Sequence, residues 1–119
     1  AIFRTIGSPG FPFDEDLVRQ RATAQFERGY NPAGMARQFA AILTQEGRRE
    51  RLGNVDMPAL VIHGLEDPLV PVECGKATAA AIPGARSLWI EGMGHDLPRE
   101  VWPRIVAAVA ALTGEAGDR

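Results

Sequence analysis

The sequence predicts an α/β fold of parallel strands joined by crossover helices, with a helical segment in front of it. Three observations predict it. Two short apolar runs, "PALVIHG" and "ARSLWIEG", each end in glycine, as strands do. Each run is followed by a stretch of helical length and helical apolar spacing. Two more stretches of helical spacing precede them. The order strand, helix, strand, helix is that of parallel strands with crossovers.

Taken in order, residues 1–13 are rich in Gly, Pro and Phe and read as a loop with aromatic anchors. A helix is expected from about Asp14, with acids in its first turn and Gly29 just past its end. Leu17, Val18, Ala22 and Phe26 form its apolar stripe. A second helix runs from Asn31, as N-cap, with Pro32 at its first position, to Gly47. Met35, Phe39 and Leu43 line one of its faces. "RRERLGNVDM" is a charged connector. "PALVIHG" suits a strand buried on both faces. "VECGKATAAAIPG" is a helix stopped by Pro83-Gly84, and "ARSLWIEG" a second strand. "LPREVWPRIVAAVAALTG" is a terminal helix with Val101, Trp102, Ile105, Val109 and Leu112 on one side. Pro103 falls in its first turn, where the ring is tolerated. The expected organisation is an N-terminal loop and helical segment over 1–54, an α/β core over 55–113 and a polar tail over 114–119.

Composition bounds the function. At 119 residues, 45% hydrophobic and 24% charged, the chain is an ordinary globular domain. A net charge of -2 gives no nucleic-acid footprint. No apolar run approaches the roughly 20 residues of a membrane span, so no membrane partner is expected. A single cysteine, Cys74, cannot form an internal disulfide and favours a reducing, cytoplasmic setting. Cys74 is expected to be a packing residue, as are Trp89 and Trp102. Two parallel strands alone are not a stable sheet. The expectation is that further strands come from a partner or from a larger domain, through an exposed sheet edge. A start at Ala rather than Met also fits a fragment.

The chemistry concentrates after the two strands. Functional groups of open α/β sheets lie just past the carboxyl ends of strands. Asp67 follows the first strand in "HGLEDPLVP" and His95 follows the second in "EGMGHDLP". If the strands are parallel neighbours, both side chains emerge on one edge. The carboxylate would then accept a hydrogen bond from one ring nitrogen and fix the tautomer, leaving the other nitrogen to take a proton. A plainer reading stands beside this one: Asp-Pro is a common turn opener, and Asp67 would cap the turn it begins. Met93 and Leu97 flank His95 as apolar wall, and Phe39 is a further candidate for touching substrate. Phe11, Phe13, Phe26, Met35 and Phe39 are expected to be core of the helical segment, or else to face a cleft. Glu66 is expected to be solvated, His63 structural, and Asp96 to cap the terminal helix. No cofactor and no metal are expected.

"HGLEDPLVP" followed by "GMGHDLP" resembles the C-terminal portion of the α/β-hydrolase fold family, where an H/A-G-x-x-D-x-x-x-P loop carries the acid and a G-x-G-H loop the base. The "GMGHDLP" ending is most similar to esterases of the aclacinomycin methylesterase type. The resemblance implies that Asp67 and His95 are the acid and base of a catalytic triad. It also implies that the helices of 14–47 are part of a cap, and that the substrate is a small ester-like molecule. The family's nucleophile elbow, G-x-S-x-G, is absent; the serines are Ser8 and Ser87. In the family the nucleophile precedes acid and base, so it is expected upstream of residue 1, and the 119 residues alone are expected to be inactive. The same acid and base serve dehalogenases, epoxide hydrolases, C–C bond hydrolases and cofactor-free haloperoxidases in this fold. A non-catalytic α/β-hydrolase-like interaction module is the alternative.

Overall fold

The computed structural model describes residues 2–45 and 47–117. The described residues form two compact units. One combines those of the stretches 1–13 and 49–119; the other is Asp14–Arg48. Residues 2–13 therefore pack with the α/β unit, although the sequence places them with the helical segment.

The α/β unit is built on two strands, β1 (Leu60–Gly64) and β2 (Arg86–Ile90), paired in parallel with Leu60 opposite Arg86 and Gly64 opposite Ile90. Helix α5 (Val72–Ala81) makes the crossover. Helix α6 (Trp102–Gly117), entered through a 3₁₀ turn at Arg99–Val101, follows β2. Both helices contact β1. The expected strands, crossover and terminal helix are thus all present. Helix α6 runs to Gly117, past the break expected at Gly114.

The core is small. Ile90, Met93 and Val101 are buried, and Phe11, Ile62, Leu88 and Ile105 pack against them. Strand β1 is half-buried over Leu60–His63, whereas a strand covered on both faces was expected. Trp102 is exposed rather than core, because its indole N–H reaches out to the Leu97 carbonyl at 3.0 Å. Trp89 is half-buried. Cys74 is exposed, not a packing residue.

The N-terminal stretch is not all loop. It begins with a short helix, α1 (Ile2–Ile6), whose Arg4 guanidinium lies 4.3 Å from the centre of the Phe13 ring. This cation–π contact is one of the expected aromatic anchors; Phe11 in the core is the other. A one-turn helix, α4 (Arg49–Leu52), interrupts the charged connector.

In the second unit, α2 (Glu15–Arg28) is capped by the Asp14 side chain, which accepts from Leu17 N–H at 2.9 Å. Asn31 caps α3 (Pro32–Thr44) in the same way, from Gly34 N–H at 2.9 Å. Both caps follow the sequence signals. Helix α3 stops at Thr44, short of Gly47. There the threonine hydroxyl donates back to the Ala40 carbonyl, and Gln45 turns extended. Phe26, Met35 and Phe39 are exposed, so they are not the buried core expected of this segment. Within this unit the described residues form two helices, without a third layer to bury a shared apolar face.

Candidate active site

Asp67 sits on the loop leaving β1 and His95 on the loop leaving β2. Parallel pairing puts both strand ends on one edge, and the register brings Gly64 level with Ile90. Gly64 ends β1 directly against the base loop. A Cβ there would collide with the Met93 carbonyl oxygen, so only glycine lets the two loops lie this close. Glu66 N–H then donates to that carbonyl at 3.1 Å, joining loop to loop.

The two oxygens of Asp67 divide their partners. Oδ1 accepts from the N–H groups of Leu69 at 2.9 Å and Val70 at 2.8 Å. Oδ2 accepts from His95 Nδ1 at 2.8 Å. The turn-capping contact and the carboxylate–imidazole contact are therefore both present, one for each oxygen. Because a carboxylate only accepts, Nδ1 carries the proton. His95 Nε2 has no hydrogen-bond partner among the described residues. The Asp67 side chain is 6% exposed and that of His95 41%, so the acid is sheltered while the ring opens to solvent. Burial is the largest single influence on the Asp67 carboxyl and pushes its pKa up. The Val70 N–H, the His95 ring and the Leu69 N–H together outweigh it, and the pKa lies below its ordinary value.

The base loop is held by residues from the other end of the chain. His95 N–H donates to the Ile6 carbonyl at 2.7 Å, and Gly10 N–H to that of Gly92 at 2.9 Å. Ser8 Oγ accepts from Gly94 N–H at 2.9 Å and donates to Asp96 Oδ1. Asp96 thus binds Ser8 instead of capping the terminal helix, whose 3₁₀ entry begins at Pro98 with no side-chain cap. Ser8 is the residue beside the candidate site whose contacts sequence reasoning passed over. "GSPG" signals a turn, and nothing in it says which loop the turn will meet.

An open groove of about 310 Å³ runs along this edge, lined by Asp67 and His95 with Ile62, Val70, Met93 and Leu97. Met93 is largely core, at 4% exposed, and Leu97 is half-exposed. Phe39 belongs to α3 in the second unit, where it is exposed. His63 also borders the groove, and Glu66 is exposed.

The model of a family described as TAP-like protein, an α/β-hydrolase family, matches residues 35–110. Rhodomycin D methylesterase of Streptomyces peucetius is 33% identical over 96% of this chain and 38% of its own length. The pimeloyl-[acyl-carrier protein] methyl ester esterase of Xanthomonas campestris pv. campestris (strain B100) is 32% identical over 88% of this chain and 43% of its own. A crystal structure of an esterase from Rhodococcus sp. ECU1013 superposes with a TM-score of 0.54 at 33% identity, covering 59% of this chain and 26% of that one. The chain spans well under half the length of the curated relatives it matches. No helix among the described residues is long and apolar enough to cross a membrane. With two parallel strands, a crossover helix and a family model matching more than half its length, the chain belongs to the α/β-hydrolase family.

Proposed function

We propose that this chain carries the acid and the base of a serine-type carboxylic ester hydrolase, and that the nucleophile and oxyanion donors lie in a segment outside this sequence. The observation that supports it is the Asp67 Oδ2–His95 Nδ1 hydrogen bond at the ends of two adjacent parallel strands. That bond leaves Nε2 without a hydrogen-bond partner among the described residues, on a ring that borders the open groove. In the complete site, Nε2 takes the proton of a serine hydroxyl as its oxygen attacks the ester carbonyl. Asp67 stabilises the imidazolium, which then protonates the departing alcohol. Water attacks the acyl-enzyme with Nε2 again as base, and the acid is released. The relatives are named for methyl esters of two different acids. The leaving group they share is small, so a methyl ester is the substrate class proposed here, with Met93 and Leu97 as substrate contacts.

The test is a chimera. The N-terminal part of rhodomycin D methylesterase, joined to these 119 residues, is assayed on methyl and p-nitrophenyl esters. Turnover that His95→Ala abolishes supports the reading. Turnover indifferent to His95 removes it. His95-dependent turnover by the 119 residues alone would show the nucleophile to be inside this sequence.

Among the described residues, β1 and β2 pair only with each other. Their outer edges are open to strand addition, and we infer that they take strands of the same hydrolase. Sedimentation of the chain with and without that N-terminal part separates this pairing from self-association.

A further inference from the structure

The Asp67 carboxylate lies between two imidazoles, and the mechanism above uses only one. His63, the fourth residue of β1, has Nε2 at 3.7 Å from Asp67 Oδ2 and at 2.9 Å from the Val70 carbonyl oxygen. A carbonyl only accepts, so His63 carries a proton on Nε2. The positive end of that N–H bond lies beside the same oxygen that His95 binds.

Val70 is the shared node. Its N–H holds Asp67 Oδ1, and its carbonyl is held by His63. Any movement of the His63 ring is passed through the Val70 backbone, from its carbonyl across Cα to its N–H, to the carboxylate. The ring has little freedom to move. A Cβ on Gly75 would stand 2.6 Å from His63 Nδ1, so the backbone of α5 closes directly against the ring edge. The His63 side chain is 13% exposed, which keeps water from competing for its donor.

We propose that His63 is a positioning residue for the acid: through the Val70 carbonyl it fixes the 65–70 loop so that Asp67 Oδ2 meets His95 Nδ1, and Gly75 is the space that admits it. The proposal rests on the Asp67–His95 pairing described above. His63 touches no reacting atom in it. A tether of this kind keeps the donor–acceptor geometry within the narrow range that proton transfer requires.

The experiment is imidazole nitrogen and proton NMR on the full chain. In the wild type, His63 is expected to show a protonated Nε2 and a bare Nδ1, and His95 a protonated Nδ1 with a downfield, slowly exchanging resonance. His63→Leu is expected to broaden or abolish the His95 Nδ1–H resonance. His63→Gln, whose amide can still donate to Val70, is expected to restore it. Asp67→Asn is the control for the pairing itself. If Asp67→Asn leaves the His95 signal unchanged, the acid–base pairing fails. If Asp67→Asn abolishes it while His63→Leu leaves it intact, only the role of His63 fails. Should His63→Leu not fold, the wild-type spectrum decides: a bare Nε2 on His63 overturns the proposal.

Discussion

The amide of His95 donates to the carbonyl of Ile6 across 2.7 Å. These residues are far apart in the chain, yet the bond anchors the backbone of the proposed base. With the Ser8 hydroxyl between Gly94 and Asp96, it makes the N-terminal stretch a brace for the base loop.

Ser8 gives the first prediction. Ser8→Ala removes the acceptor of the Gly94 N–H, in a residue that is buried, and the donor to Asp96. Leaving a buried donor unmet costs about 1–3 kcal/mol. Urea denaturation of the 119-residue chain is expected to show a loss in that range. A change of a few tenths would mean that the brace adds little.

Asp67→Asn is expected to reduce kcat of the chimera by about 10⁴-fold with little change in KM. The side of the carboxyl facing Leu69 and Val70 must accept two N–H bonds, so the amide oxygen goes there. The amide NH₂ then faces His95 and demands an acceptor at Nδ1. The ring must move its proton to Nε2, where it can no longer take one from a nucleophile. A loss of less than tenfold would contradict this assignment.

Gly64→Ala is expected to cost about 3 kcal/mol or to prevent folding, since the new methyl meets the Met93 carbonyl and neither strand end can yield. Thermal unfolding monitored by circular dichroism measures it. An alanine variant as stable as the parent would mean that the two loops are further apart than described.

The depressed pKa of Asp67 has a pH signature. Above its ordinary value of 3.8 the carboxyl is ionised in both folded and unfolded chains, and its full stabilising contribution is present. As pH falls below that value the unfolded chain binds the proton first, and the contribution fades through the lower folded value. The stability difference between wild type and Asp67→Asn is therefore expected to shrink between about pH 5 and about pH 2. A difference that stays constant over this range would deny the depressed value.

Much of this was legible in the sequence, and particular residues show why. Asp67 and His95 each follow a short apolar run, and local pattern alone sets them at strand ends; parallel pairing then brings them together. Asp14 and Asn31 announce their helices through side-chain geometry that acts within four residues. The illegible part is long-range. Nothing local tells that Ser8 meets Gly94, eighty-six residues away, or that a backbone carbonyl at Ile6 receives the His95 amide. Burial was misjudged for the same reason. Trp102 and Cys74 look like core by residue type, and whether another element covers them is decided by tertiary contact.

The unit that holds Asp67 and His95 is made from two separated stretches, with Asp14–Arg48 spliced between Phe13 and Arg49. Every hydrogen bond described around the acid and base lies within those two stretches. The helical insert can accordingly be exchanged or grafted, in length and in sequence, without rewriting that machinery.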